Sequence, residues 1–349
     1  MKIVVLAGGL SPERNVSLST GTMVAEALQS LGHKVALIDM FFGVEDCANL
    51  DALFGAPIDQ AGKKVSRQAP DLNEIKKSRK GDSPSFFGPN VLELCTMADI
   101  VFLALHGTCG EDGRVQAAFD LMGIPYTGAG YLGSAIAMDK DLTKRLVSDV
   151  VNTPGWKTVE YTADDIEHLV KTTCLPVVVK PDASGSSIGV SIAHTEEELR
   201  KALTDSLSMG GKTVLEQYVK GRELQVGVLE DKALPSIEII PKVGFYDYEN
   251  KYQPGAATEV TPANISPEAE EKLCAATLRV YETIGLSVYS RADFILDADG
   301  EPWFLEINTL PGMTPTSLVP QEAAAVGISY PELCQRIVDA SLKARKQGR

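Results

Sequence analysis

The chain opens with an alternation of apolar and polar segments that is typical of a βαβ unit. Residues 3–7 form a continuous apolar run that stops at Gly8 and Gly9, which predicts a buried parallel strand. From Ser17 onward, apolar residues recur at helical spacing as far as Gly32. A second apolar run at residues 35–38 then predicts the next strand.

The pattern changes twice more before the next unit. Residues 61–90 are polar and contain three pairs of basic residues, so we predict a segment on the surface. Residues 100–105 return to an apolar run and place His106 at the carboxyl end of a buried strand. In an open α/β sheet that end of the strands is where ligands bind.

A second unit begins near Tyr131, with a predicted helix through Met138 to Val150. The pattern predicts a helix from Thr195 and strands at residues 176–180, 213–218, 223–229, 236–240, 290–296 and 303–308. With no internal repeat, the expected organisation is three unequal α/β lobes at residues 1–130, 131–219 and 220–349.

Composition narrows the class of protein. Of the 349 residues, 44% are hydrophobic and 23% are charged, as in ordinary globular domains. The net charge of -14 argues against a general nucleic-acid surface, which needs clustered Lys and Arg. The six cysteines are dispersed with no CxxC pair, so neither a zinc site nor a disulfide framework is predicted. The first strand begins too early for a signal peptide and no apolar run could span a bilayer, which predicts a cytoplasmic protein.

Three oxygen-bearing side chains are predicted to meet on one hairpin. Glu306 and Asn308 are two apart on a strand and therefore share a face, and pairing with the preceding strand brings Asp293 beside them. Such a set suits Mg²⁺, which prefers carboxylates completed by phosphates and water. The alternative is a hairpin with exposed acids. Arg291 shares the face of Asp293, where we expect a phosphate to neutralise a cation.

A Ser/Gly segment at residues 184–189 follows Lys180 directly. Small residues let backbone amides wrap phosphate oxygens, and the lysine adds charge. The segment lacks the Walker A spacing, and an ordinary hairpin turn is the alternative. Lys140, taken alone, is typical of an exposed helix lysine.

Taken together, these residues resemble the ATP-grasp ligases, and among them the D-alanine:D-alanine ligase family, along nearly the whole chain. The matching motifs are Gly8-Gly9 with residues 11–17, Leu105-His106-Gly107, residues 110–113, residues 125–128, Met138-Asp139-Lys140, residues 185–189, residues 216–219, Arg291-x-Asp293, residues 245–252 and residues 306–314. Their joint order makes the resemblance specific. It implies an α/β fold with an N-terminal Rossmann-like parallel-sheet domain and two α+β ATP-grasp lobes.

The resemblance also implies roles for individual residues. ATP would be bound by Lys140, Lys180, Ser187, Glu216, Gln217, Tyr218, Val219, Glu223 and Lys251. Catalysis would involve Glu13, Ser186, Tyr252, Arg291 and Gly312, while His106, Ser317 and Leu318 would bind substrate. Asp293, Glu306 and Asn308 would ligate the metal. ATP is then the co-substrate, with two Mg²⁺ ions for which Mn²⁺ can substitute.

The implied reaction joins two D-alanines through an acylphosphate for peptidoglycan precursors, in a homodimer formed through the N-terminal lobe. Relatives that use D-lactate carry a histidine where this chain has Tyr252, which favours an amine acceptor but leaves D-serine open. Another ATP-grasp ligase and a non-catalytic nucleotide-binding protein stay as alternatives. A dinucleotide-dependent dehydrogenase is disfavoured because Gly8-Gly9 lacks the G-x-G-x-x-G fingerprint.

Overall fold

A computed structural model describes residues 1–45, 47–63, 70–182, 189–210, 212–242 and 257–347. Four residues with predicted roles lie outside this range, namely Ser186, Ser187, Lys251 and Tyr252. The described helices are α1 (Arg14–Ser30), α2 (Leu72–Ser78), α3 (Val91–Met97), α4 (Arg114–Met122), α5 (Tyr131–Met138), α6 (Lys140–Val147), α7 (Ile166–Thr172), α8 (Glu196–Met209), α9 (Pro267–Thr283), α10 (Leu318–Ala325) and α11 (Tyr330–Lys346). Short 3₁₀ helices lie at Leu50–Leu53, Gln60–Lys63 and Ala163–Asp165.

The described strands form three sheets. They are β1 (Lys2–Ala7), β2 (Lys34–Asp39), β3 (Ile100–Leu103), β4 (Trp156–Val159), β5 (Val177–Pro181), β6 (Ser191–Ala193), β7 (Thr213–Gln217), β8 (Arg222–Leu229), β9 (Lys232–Ala233), β10 (Ile237–Pro241), β11 (Ala257–Val260), β12 (Tyr289–Leu296) and β13 (Pro302–Asn308). Their orders are β2-β1-β3, β4-β7-β5-β6 and β11-β10-β8-β12-β13, with β9 paired to β8. Each sheet belongs to a different part of the chain, as the apolar pattern predicts.

The N-terminal sheet is parallel throughout, which confirms the predicted βαβ unit. Helix α1 begins at Arg14, however, three residues before the predicted start at Ser17. The hydroxyl of Ser17 lies inside the helix, accepts a hydrogen bond from the amide of Gly8 at 2.8 Å and donates to the carbonyl of Ala104 at 2.6 Å. The Ser17 side chain thus ties α1 to the ends of β1 and β3 from within the helix.

The predicted single helix through Met138 to Val150 is wrong, because the structure divides it into α5 and α6. Asp139 between them has an extended backbone, with φ -88° and ψ 103°. Its side chain accepts a hydrogen bond from the amide of Leu142 at 2.8 Å and so caps the start of α6. The break turns the first residue of α6, Lys140, toward the interior.

The hydrophobic cores cross the predicted lobe boundaries. Residues of α11, including Leu333 and Ile337, pack in the core of the N-terminal sheet. Arg345 of the same helix lies over the ring of Tyr126, 3.8 Å from its centroid, and donates to the carbonyl of Gly128. Ala137 of α5 and Val147 of α6 belong to the core of the C-terminal sheet. The predicted boundary at residue 131 stays a prediction. Helix α11 and β1 contribute to the same hydrophobic core, although they lie near opposite ends of the chain.

Two further observations bear on the expectations from composition. The six cysteines are free thiols, of which Cys95, Cys109 and Cys334 are buried and Cys174 is exposed. Among the described residues, the structure contains no helix long and apolar enough to cross a membrane.

Candidate active site

The hairpin of β12 and β13 brings the three predicted metal ligands together. Asp293 pairs directly with Glu306, and the amide of Asn308 donates to the Asp293 carboxylate at 3.4 Å. Asp293 is only 4% exposed. Two carboxylates and an amide oxygen on one face form a hard oxygen donor set, which fits Mg²⁺. The predicted hairpin pairing is confirmed, and the metal assignment stays a prediction.

Arg291 already has a carboxylate partner. Its guanidinium donates to both oxygens of Asp293, from Nε at 2.8 Å and from Nη2 at 3.0 Å. The sequence led us to expect a phosphate as the neutralising anion, whereas the residue two positions along the strand fills that role. A metal ion on Asp293 would compete with this pair and leave the guanidinium available to a developing negative charge.

Buried lysines from two elements face these acids. Lys140, at the start of α6, lies 3.3 Å from a carboxylate oxygen of Glu306. Lys180, at the end of β5, lies 2.6 Å from Glu216 on β7. Burial disfavours the charged form of Lys180, but the nearby carboxylates outweigh it and raise its pKa. Two buried lysine side chains thus lie beside the carboxylates, so an acidic chain contains a local site for an anion.

The predicted adenine and ribose residues lie at the end of β7, in the turn that follows it and at the start of β8. Glu216 ends the buried part of β7, and the exposed Gln217 accepts a hydrogen bond from the amide of Gly155 at 3.4 Å. Tyr218 contacts the ring of His194 edge to face, at 5.8 Å between centroids. Val219, which precedes β8, and Glu223, which lies within β8, are both half-buried. Of these residues, Glu216 and Glu223 lie close enough to Lys180 for their charges to act on it, as does Glu306 of the hairpin.

His106 lies at the end of the N-terminal sheet, as predicted, and both of its ring nitrogens have protein partners. Nδ1 donates to the carbonyl of Leu310 at 2.9 Å, and Nε2 accepts from the hydroxyl of Thr20 at 3.0 Å. Burial lowers the pKa of His106 to about 4, so the ring is neutral. The ring ties the N-terminal sheet to the loop after β13, which positions that loop.

Two acids lie beside His106. Glu13 is 6% exposed, and a side chain at Gly107 would approach its carboxylate within 2.7 Å. Glu111, which we did not predict, accepts hydrogen bonds from the amides of Gly107 at 2.8 Å and Leu310 at 3.2 Å. Burial, followed by the charge of Glu13, raises the pKa of Glu111 to about 8. Its place in the Gly-Glu-Asp-Gly motif was the available signal.

The predicted oxyanion and acceptor residues are neighbours. A Cβ atom at Gly312 would lie 2.9 Å from the Oγ atom of Ser317. Ser317 precedes α10, and its hydroxyl accepts from the amide of Thr314 at 3.1 Å. Leu318, the first residue of the helix, is 7% exposed. Glycine at position 312 is thus needed for the loop to lie against the start of α10.

One pocket thus joins the acidic hairpin to a buried lysine and a buried acid, since it is lined by Glu306, Asn308, Lys140 and Glu111. The family model of the D-ala D-ala ligase N-terminus matches residues 2–129, and that of the C-terminus matches residues 149–339. The chain belongs to the D-ala D-ala ligase family. The expected family and its three-lobed ATP-grasp fold are confirmed.

Named relatives span the same length as this member of the D-ala D-ala ligase family. It is 41% identical to the D-alanine–D-alanine ligase of Pediococcus pentosaceus, with 97% of each chain covered. It is 39% identical to that of Lacticaseibacillus casei, over 100% of this chain and 98% of the relative. A crystal structure of the Bacillus anthracis ligase complexed with ATP matches with a TM-score of 0.74 and 29% identity, covering 100% of both chains.

One further buried residue was missed in the sequence. Lys144 on α6 is 1% exposed and lies 2.7 Å from the second carboxylate oxygen of Glu216. Its spacing of four from Lys140 places both on one helix face, which was the available signal. The resemblance pointed to Lys140 but not to Lys144, and lysines on helices are usually exposed.

Proposed function

We propose that this chain is a D-alanine:D-alanine ligase, which joins two D-alanines with cleavage of ATP to ADP and phosphate. The product serves as the D-alanyl-D-alanine end of peptidoglycan precursors. The observation that carries the proposal is the pairing of Asp293 with Glu306 on one hairpin, with Lys140 at 3.3 Å from Glu306 and Arg291 on Asp293. Family membership supplies the substrates.

The first chemical step is phosphoryl transfer to a carboxylate. An oxygen of the first D-alanine carboxylate attacks the γ-phosphorus of ATP, the bond to the β,γ-bridging oxygen breaks, and ADP leaves. Lys140 and Lys180 hold the phosphates and offset their charge, since catalysis of phosphoryl transfer is mainly positioning and electrostatic stabilisation. Adenine lies against residues 216–219 and the ribose on Glu223.

Asp293, Glu306 and Asn308 would hold Mg²⁺, as two ions or with Mn²⁺ in their place. The metal supplies charge neutralisation on the β- and γ-phosphates when it is bound. The hard oxygen set on the hairpin supports this assignment. A metal ion on Asp293 would leave the Arg291 guanidinium to face the substrate carboxyl group.

The second step forms the peptide bond. The amine of the second D-alanine attacks the carbonyl carbon of the acylphosphate, a tetrahedral oxyanion forms, and phosphate leaves as the amine loses a proton. Arg291 and the amide of Gly312 donate to that oxyanion, and each such donor contributes roughly 3 to 4 kcal/mol to the transition state. Ser317 and Leu318 bind the second D-alanine beside Gly312.

The first D-alanine lies in the pocket near the N-terminal sheet. Glu13 pairs with its ammonium group, and His106 positions the surrounding loop. Acylphosphates hydrolyse readily, so water must be excluded from the closed site. Ser186, Ser187, Lys251 and Tyr252 carry this part of the proposal, with Ser186 and Tyr252 bonded to Glu13 when the site closes.

The chain also acts as a cytoplasmic homodimer in this proposal, with no nucleic-acid or membrane partner. Apolar side chains are exposed on neighbouring parts of the N-terminal lobe and α5, with Leu121 at 91%, Leu132 at 60% and Tyr131 at 52%. Exposed apolar patches of this kind mark interaction surfaces. The sedimentation coefficient of Leu132→Asp, compared with that of the unchanged protein, tests whether this surface joins two copies.

The activity is tested with Mg²⁺-ATP and a panel of D-alanine, D-serine, D-lactate and L-alanine, supplied singly and in pairs. We expect D-alanyl-D-alanine by mass, with ADP in equal amount, and no product from Glu306→Gln. Preferential product with D-serine or D-lactate would overturn the acceptor assignment. Failure of every pair to stimulate ATP cleavage would overturn the proposed ligase activity.

A further inference from the structure

Glu216, a proposed adenine residue, is buried and forms ion pairs with two lysines. One carboxylate oxygen is 2.6 Å from Lys180, and the other is 2.7 Å from Lys144. The side chains of Glu216 and Lys144 are each 1% exposed. Burial disfavours the charged form of Glu216, yet the two ammonium groups outweigh it and lower its pKa. The charged form of the Glu216 carboxylate is thus stabilised by its two lysine partners.

The two lysines differ in what they can reach. The charge of Glu306 acts on both lysines, but Lys180 also senses Glu223, the proposed ribose residue, and is 10% exposed at its side chain, so it borders the proposed nucleotide site. Lys144 is enclosed between Glu216 and Trp156, with its ammonium 5.7 Å from the centre of the indole. The indole nitrogen of Trp156 donates to Asp141 at 2.9 Å, which fixes this wall.

This arrangement creates a conflict when the nucleotide binds. The same ammonium of Lys180 serves Glu216 in the free protein and a phosphate in the proposed complex. A buried carboxylate that loses a partner becomes strongly unfavourable unless another cation remains. Lys144 is the second cation on that carboxylate, and it lies one helical turn beyond Lys140, on the same face of α6.

We propose that Lys144 is a positioning residue that holds Glu216 charged and in place while Lys180 moves from Glu216 to a phosphate of ATP. This inference rests on the proposed use of ATP and extends it to a residue that does not touch the nucleotide. Lys144 acts on nucleotide affinity through Glu216, so its effect disappears when the Glu216 charge is absent.

The test is a double-mutant cycle of Lys144→Met and Glu216→Gln, with the dissociation constant of Mg²⁺-ATP measured by equilibrium dialysis and the KM for ATP measured in the ligase assay. Lys144→Met alone should raise both constants by roughly tenfold or more, because Lys180 is then retained by Glu216. The KM for D-alanine should stay within about twofold. In the Glu216→Gln background, Lys144→Met should change ATP affinity by less than about twofold.

Equal effects of Lys144→Met in both backgrounds would overturn the inference, since Lys144 would then act independently of Glu216. A fall in melting temperature with unchanged ATP constants would also overturn it and assign Lys144 a role in folding alone. Lys201→Met, in which the replaced lysine is 79% exposed on α8, is the matched control and should change nothing. Dialysis does not depend on ligation, so a protein that binds ATP but joins no D-alanines refutes the proposed function without refuting this inference.

Discussion

Arg291 and Asp293 face each other two residues apart on β12, with hydrogen bonds of 2.8 and 3.0 Å between the guanidinium and the carboxylate. One of these side chains is assigned to the oxyanion and the other to the metal, so the two tasks are coupled. Arg291→Lys keeps the charge but loses the planar two-point contact. We expect kcat to fall roughly a hundredfold or more, with ATP affinity little changed. Steady-state kinetics measure this effect, and Arg279→Lys, at an exposed helix position, is the control. A kcat for Arg291→Lys equal to that of the control and of the unchanged protein would contradict the prediction.

Gly312 lies where an added methyl group would meet Ser317, at 2.9 Å from its hydroxyl oxygen. Gly312→Ala should displace Ser317 and lower kcat/KM for the second D-alanine by roughly tenfold to a hundredfold. Gly130→Ala is the control, because its nearest neighbour would be 3.7 Å away. The double variant Gly312→Ala with Ser317→Ala should show a smaller additional loss than the two single variants predict. Strict additivity would refute the steric account.

Gly227 on β8 lies directly beneath the carboxylate of Glu322, which is fully buried and accepts hydrogen bonds from the Gly227 amide at 3.0 and 3.1 Å. A Cβ atom at position 227 would overlap that carboxylate. Gly227→Ala should therefore lower the free energy of unfolding by roughly 1 to 3 kcal/mol, as overpacking does. Urea unfolding measures this, and the cost should shrink in a Glu322→Ala background. An unchanged midpoint for Gly227→Ala would count against the packing described.

His106 gives the fold a defined acid sensitivity. Its pKa is about 4 in the folded protein and its ordinary value is 6.5. The unfolded chain therefore binds more protons between these values, so stability is present above pH 6.5 and is lost as the pH falls toward 4. His106→Gln should remove up to about 3 kcal/mol of this dependence. Unfolding midpoints across this range test it, with the exposed His168→Gln expected to keep the original slope.

The sequence was most informative where a short-range periodicity determines which face of a strand a side chain occupies. The period of two on strands placed Glu306 and Asn308 on one face and located Asp293 across the hairpin, and the register confirms both. Apolar runs likewise predicted where most of the described strands lie along the chain, among them β1, β8 and β12. These features depend on neighbouring residues, so a single sequence contains them.

The remainder depends on long-range packing. Asp139 read as a helix residue, although its side chain caps α6 and divides two helices. Lys144 is typical of a surface lysine in the sequence, whereas in the structure it is buried against Glu216 of β7. The partners of His106 are Thr20 on α1, 86 residues away along the chain, and Leu310 in the loop after β13, 204 residues away. Neither spacing nor composition specifies such contacts.

The transfer of oxygen from D-alanine to phosphate tests the central claim most directly. D-alanine with isotopically heavy oxygen in its carboxyl group is incubated with the protein and Mg²⁺-ATP, and the released phosphate and dipeptide are weighed by mass spectrometry. The account predicts D-alanyl-D-alanine and one heavy oxygen in each phosphate, because the carboxylate attacks the γ-phosphorus. Dipeptide formed with unlabelled phosphate would contradict the acylphosphate route, and labelled carboxylate left unligated would contradict the enzyme itself.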